Sequence, residues 1–444
     1  MRASTTDCEE SPEENTGLAT RRGTATRKES RAEGTAGLLA EAVIAVVSEV
    51  GVSRLTHRRV AAAASVSLSA TTYHYKTKAD MLATAAQRLL DGYIDDFRSI
   101  AQDCRQGLRP PLTLAELCFR IVRNATGRNS VAALAWCEIM LDAARSPEGH
   151  EIAQRWFADL QGAWTDVAQA FGEEATALEL LCMIDLVVGL LFVSRGLQLD
   201  GNAIAAVENG ASPEATWRLA IAPATGAPAG EKPRSRKAVE TRERLLRSAI
   251  ELLIEGGTGA VTCTAVAARS GDAMTAPAYH FSSISGLLKA AETRMFRDSK
   301  NRAREVFAGG QNDCHSAEEL VDVTAAIFIR EATQFRPQSI AHYSIWLEAA
   351  RDPQLRPDVS AAVGDQLRAW MRRLAAISGG TEHNALACQA LFVGALVRVV
   401  STGARTEELA RIRAQFDWLF GVARAECKNS TLFQNLLRQR APDA

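Results

Sequence analysis

The chain lacks most of what announces an enzyme, a secreted scaffold or a membrane protein. Its nine cysteines (Cys8, Cys104, Cys118, Cys137, Cys182, Cys263, Cys314, Cys388 and Cys427) are odd in number and never form a CxxC pair. That excludes a disulfide framework and a zinc site, and suits a reducing cytosol. No alternating strand pattern occurs. No phosphate loop, nucleophile motif or metal-ligand cluster occurs either, so no catalytic role and no cofactor is expected. The opening "MRASTTDCEESPEENTG" has no apolar h-region. The longest apolar run, "LVVGLLFV" (186–193), follows Asp185 and is too short to span a bilayer. Aromatics are 6% and the formal charge is −1, so no global field marks a partner. These absences predict an all-α, cytoplasmic protein that is not an enzyme and does not meet a membrane.

What is present favours helices. Alanine, leucine and arginine dominate, and the 444 residues suffice for several domains. The charge is unevenly placed. Residues 21–78 hold Arg21, Arg22, Arg27, Lys28, Arg31, Arg54, Arg58, Arg59, Lys76 and Lys78 against Glu29, Glu33, Glu41 and Glu49. A basic segment in a neutral chain is the footprint of a local phosphate contact, although such runs are also ordinary solvated faces.

The chain repeats itself. A shift of 206 positions aligns Thr35, Leu39, Ile44, Gly51 and Thr56 with Thr241, Leu245, Ile250, Gly257 and Thr262. It also aligns Val60-Ala61-Ala62 with Val266-Ala267-Ala268, and Tyr73-His74 with Tyr279-His280. The register holds downstream, where "LDAARSP" (141–147) meets "LEAARDP" (347–353). After one slipped residue, "LVVGLL" (186–191) meets "LFVGAL" (391–396). Two homologous copies of about 200 residues are predicted.

The expected boundaries follow. A disordered tail covers 1–30, a first helix-turn-helix module 31–82 and a helical domain 83–221. A Pro/Gly/Ala-rich linker covers 222–237, a second, divergent helix-turn-helix module 238–288 and a second helical domain 289–426. A tail covers 427–444.

The chemistry is concentrated in "LTHRRVAAAASVSLSATTYHYKTKADML" (55–82). Thr56 is an N-cap for a short helix ending near Ala64, Ser65-Val66-Ser67 is a turn, and Ser67 caps a second short helix through Tyr73. Two short helices about a three-residue turn are the signature of a helix-turn-helix, whose second helix enters the major groove.

With these residues the sequence resembles the TetR family of ligand-responsive transcription regulators, in two tandem copies. The resemblance rests on Gly51, Thr56, Val60/Ala61, Ser65-Val66-Ser67, Tyr73-His74-Tyr75, Lys78 and Leu82; the family's turn glycine is Ser65 here. It implies an N-terminal three-helix DNA-binding module in each copy. Behind each module it implies a helical domain with an effector pocket and a four-helix dimer interface.

The second copy departs further. Its turn, Gly271-Asp272-Ala273, has no capping serine, Ile284 replaces Lys78, and Pro277 falls inside the recognition helix. A helix capped by Thr275 tolerates Pro277 in its first turn, so a shorter or shifted helix is predicted.

Candidate DNA-contacting residues in the first copy are Thr56, Arg58, Arg59, Ser67, Leu68, Ser69, Ala70, Thr71, Tyr73, His74 and Lys78. In the second they are Thr262, Thr264, Met274, Thr275, Ala276, Tyr279 and His280. Small hydroxyl and methyl side chains suit thymine methyls and phosphates, and no Arg or Asn in the first reading helix announces a base preference. His74 and His280 lack the partners a catalytic group needs. The segments "RKESR" (27–31) and "RSRK" (234–237) are candidate backbone arms or plain solubilising stretches. Candidate effector-pocket residues are Trp136, Met140, Trp156 and Trp164, then His342, Trp346 and Trp370; the same spacing also suits plain core. Asp185 and Arg398 sit in otherwise apolar helices at comparable places and are expected to pair.

The functional expectation is a regulator, more specifically a repressor, that binds double-stranded DNA as an intramolecular pseudo-dimer and answers to a small-molecule effector. Its two recognition helices would meet successive major grooves, roughly 34 Å apart. Further association of two chains stays open. The alternative is a helical small-molecule sensor in which only the first copy, or neither, binds DNA.

Overall fold

In the computed structural model, residues 34–213, 215–216, 235–309, 316–377 and 382–423 are described. The expected tails at 1–30 and 427–444, the arm at 27–31 and nearly all of the expected linker lie outside the described residues. The described residues are helical and contain no strand.

The first half begins with α1 (34–50), α2 (His57–Ala63), α3 (Leu68–His74) and α4 (Lys78–Arg105). It continues with α5 (Leu114–Thr126), α6 (Ser130–Ala143), α7 (Pro147–Phe171), α8 (Ala177–Leu197) and α9 (Gly201–Glu208). The second half has α10 (Arg236–Gly256), α11 (Cys263–Ser270), α12 (Ala276–Phe281) and α13 (Ile284–Gly309). Then follow α14 (Ala317–Thr333), α15 (Arg336–Arg351), α16 (Arg356–Ile377), α17 (Glu382–Ser401) and α18 (Thr406–Ala423).

Local signals set these bounds. Thr56, Ser67, Ser146, Asp200, Ser235, Thr262 and Ser316 each accept a hydrogen bond from an amide of the first turn that follows. Thr77–Asp80, Thr113–Glu116 and Thr176–Glu179 are reciprocal capping boxes. Within the first box, the Thr77 and Lys76 amides hold the Asp80 carboxyl below the usual carboxylate range.

Among the described residues, the most extensive contact joins α8 to α17, across the two halves. Both helices are apolar nearly all round, and both are long and apolar enough to cross a membrane by length and composition. The uninterrupted run 186–193 is only the middle of the apolar length of α8. Here protein covers them, since 83% of the tested window of α8 and 94% of that of α17 are buried.

Two glycines permit the seam. A Cβ on Gly189 would enter the space of the Ala390 carbonyl, and one on Gly394 would enter that of the Asp185 carbonyl. The two contacts are reciprocal, as at a two-fold interface. Beside them Asp185 and Arg398 form the expected pair, with Nε and Nη2 donating to the two carboxylate oxygens at 2.8 and 2.9 Å. Gln415 donates to Asp185 at 2.7 Å, and Glu408 accepts from Arg398 at 3.3 Å. Asp185 is 0% and Arg398 3% exposed. Burial opposes the Arg398 charge, yet the Asp185 carboxylate raises its pKa above the ordinary arginine value.

Candidate nucleic-acid interface and ligand cavity

The first head is α1 to α3 with the start of α4. α2 and α3 cross about a turn whose Ser65 takes φ 55°, the left-handed region that favours glycine. At the corresponding place of the second head stands Gly271, with φ 70°. Ser67 accepts the Ala70 amide at 3.2 Å, so α3 starts where its cap predicts.

Of the candidate residues here, Thr56, Arg58, Arg59, Ser67, Leu68, Ser69, Tyr73 and Lys78 are exposed, while Ala70 and His74 are half-buried. Thr71 is different. It is 0% exposed and its hydroxyl donates to the Leu68 carbonyl at 2.8 Å, so it packs inside the head and presents nothing to DNA. A two-turn helix lying on α2 must turn one face inward, and Thr71 is on it.

The second head repeats the arrangement with changes. Thr262 caps α11, and Thr262, Thr264, Met274 and Thr275 are exposed, with Ala276 and His280 half-buried. α12 is shorter than α3 and begins two positions later in register. Thr275 precedes it but makes no capping hydrogen bond, and Pro277 is buried in its first turn. Tyr73 and Tyr279 are each 83% exposed, each edge-on to the following histidine at 5.4 and 5.1 Å.

The heads differ most in free charge. Arg58, Arg59, Lys76 and Lys78 form no ion pair among the described residues. In the second head Arg269 is clamped by Glu255 at 2.6 Å and met by Glu251 at 3.6 Å. Arg244 is engaged by Asp272 at 2.7 Å, which draws the Asp272 pKa down, and Arg242 lies 4.4 Å over the Phe281 ring.

A charged cluster that sequence reasoning missed ties both heads to the bundle. Glu348 of α15 accepts from Arg54 Nη1 of the first head at 3.2 Å and from Thr258 Oγ1 of the second at 3.1 Å. One turn on, Arg351 donates to the Ser48 and Val47 carbonyls at the end of α1, at 2.8 and 3.1 Å. It also pairs with Glu138 of α6 at 2.7 Å. A cation on helix-terminal carbonyls is favourably placed. Between the heads, Gly259 N donates to Ser53 Oγ at 3.1 Å. The signal was available in the repeated "AAR" of 143–145 and 349–351, whose arginines Arg145 and Arg351 stand at matching places.

Behind the second head lies a cavity of about 640 Å³, walled by α10, α13, α14, α15, α16 and α17. His342 and Trp370 of the expected pocket line it. Trp346 does not: it is fully buried, and its indole donates to Glu292 Oε1 at 3.2 Å. His342 Nδ1 is 3.0 Å from Glu292 Oε2, but the angle is not that of a hydrogen bond, so both atoms are left unbonded.

Among the described residues, the corresponding interior of the first half is nearly filled. Trp136, Trp156 and Trp164 line a hollow of about 30 Å³, and Met140 is fully buried in the core beside them. Rings fill the space, with Trp136–Trp156 at 5.1 Å, Trp156–Phe157 at 5.7 Å and Phe97–Trp164 at 5.8 Å. The Trp136 and Trp156 indole nitrogens have no protein partner, and the hollow is the size of one water. Burial pushes the neighbouring Tyr93 hydroxyl up to about 12. The first half's larger hollow, about 900 Å³, is an outer groove between α4 and α7 edged by exposed Gln87, Asp91, Arg105 and Asp159.

Comparison with known proteins bears on this second bundle. Residues 315–422 match the profile described as "Tetracyclin repressor-like, C-terminal domain". The second half carries a tetracyclin repressor-like C-terminal domain. That domain spans α14 to α18 and supplies much of the cavity wall. Among solved structures, the crystal structure of the multidrug binding protein EbrR complexed with imidazole is similar over 42% of this chain and 96% of its own. The identity is 22% and the TM-score 0.33. No curated protein matches at a significant level.

Proposed function

We propose that the chain is a ligand-responsive, DNA-binding transcription regulator, acting as a cytoplasmic repressor. Its two copies form an intramolecular pseudo-dimer on an operator with two half-sites. The observation that carries this reading is the pair of exposed short helices, α3 and α12, whose heads are held by one glutamate, Glu348. The first head supplies Arg58, Arg59 and Lys78 to phosphates, and the exposed face of α3, with Ser69 and Tyr73, enters the groove.

The coupling follows from shared helices. α10 begins the second head and also lines the cavity, through Leu246, Arg247 and Ile250. α15 lines it through His342 and carries Glu348 about 9 Å further along its axis. An effector that favours a different seating of these two helices shifts the spacing of the heads and releases DNA. The effect is as large as the difference between its affinities for the two states.

The test is fluorescence anisotropy of labelled duplex DNA across a salt series. The reading expects binding that weakens linearly in log–log form. Arg58→Ala and Arg59→Ala should each reduce the slope by about one. Absence of binding at low salt would favour the small-molecule sensor. The pairing of Arg244 and Arg269 in the second head favours one specific variant of this reading, in which only the first head grips phosphates.

A further inference from the structure

The cavity in the second half has an uneven charge account. Each carboxylate on its wall is already engaged. Arg294 holds Glu243 and Asp298 at 3.0 Å each, and Lys300 holds Asp365 at 2.7 Å. Arg302 grips Glu331 through two bonds of 2.8 and 2.9 Å, and Arg269 meets Glu251 at 3.6 Å. Three guanidiniums on the same wall, Arg247, Arg304 and Arg372, form no ion pair among the described residues, and all three are exposed at its rim. The rim is therefore left positive.

The wall behind it is aromatic. Phe296, Phe307, Phe335, Trp370 and Phe392 contribute rings, and Arg373 lies 4.2 Å over Phe307. Gln338 Oε1, also on the wall, is buried without a hydrogen-bond partner and so awaits a donor. A volume of about 640 Å³ suits a molecule of a few fused or linked rings.

We propose that the chain binds one amphipathic aromatic anion, in the second half only. Its rings lie among the phenylalanines, its anionic group is met by Arg247, Arg304 and Arg372, and an N–H or O–H of the ligand satisfies Gln338. The first half takes none, because Trp136, Trp156 and Trp164 occupy the corresponding interior. Sensing then belongs to the half whose head has Arg244 and Arg269 paired, and phosphate gripping to the half whose interior is filled. The ligand's role as an effector rests on the function proposed above. Its binding does not.

The experiment uses the full chain and two dyes, titrated by fluorescence and by calorimetry without DNA. 8-Anilino-1-naphthalenesulfonate is an aromatic anion with an N–H donor, and rhodamine 6G is an aromatic cation. The anion is expected to bind once per chain and more tightly than the cation. Neutralising the rim in the R247Q/R304Q/R372Q variant, at exposed positions that leave the fold intact, should weaken it about tenfold. Ala303→Trp, which places a ring in the cavity, should abolish it. Tighter binding of rhodamine 6G, two anions per chain, no binding of the anion, or wild-type affinity in the arginine variant would each overturn the proposal. A chain that takes the anion as expected but binds no duplex would overturn only the regulator reading.

Discussion

Ser65 and Asp185 are the two residues whose local chemistry is most exposed to test. Ser65 holds a left-handed conformation that Gly271 holds without strain at the corresponding turn. Ser65→Gly is therefore expected to stabilise the first head by about 1 kcal/mol, seen as slower amide exchange in α2 and α3. Asp185 is a different case. Asp185→Ala leaves the Arg398 guanidinium buried without its bidentate partner, and should destabilise the chain by about 3–5 kcal/mol in urea unfolding. The double variant D185L/R398L, which removes both members of the pair and leaves Glu408 to Thr402 and Arg405, should recover part of that loss. This pair was legible in the sequence, since two charges in corresponding, otherwise apolar helices have few other destinations. Thr71 was not: in a seven-residue helix the face that turns inward depends on how α3 lies on α2.

At the scale of elements, the α8–α17 seam gives the sharpest expectation. Gly→Ala in a helix ordinarily stabilises by about 0.5–1 kcal/mol. At Gly189 or Gly394 the sign should reverse, because the new methyl meets a backbone carbonyl of the facing helix and no side chain can yield. Either substitution is expected to lower stability by about 1–3 kcal/mol, read as a lower unfolding midpoint. The first head was legible through its caps: Thr56 and Ser67 open α2 and α3 where the sequence places them. The cavity was legible only in part. His342 and Trp370 border it, whereas Trp346 and the trio Trp136, Trp156 and Trp164 fill their bundles, and ring packing rather than helical spacing decides between the two.

For the whole molecule the cluster around Glu348 matters most. A lone charge on a helix ordinarily faces solvent, so nothing in the spacing of Glu138, Glu348 and Arg351 marks them; across the halves they hold α1, α6 and α15 together. Glu348→Ala removes the acceptor shared by Arg54 and Thr258. It should weaken DNA binding about tenfold through loss of head spacing while leaving uptake of the anionic dye unchanged. Anisotropy and dye titration on one preparation check both halves of that expectation.

The central claim is that one chain brings two unlike heads to one operator. Selection of bound sequences from random duplex DNA, with the mass of the selected complex measured by light scattering, tests it most directly. One chain on a site with two unlike half-sites is the expected result. Two chains on a perfect palindrome would contradict it, and would leave the first head as the only reader.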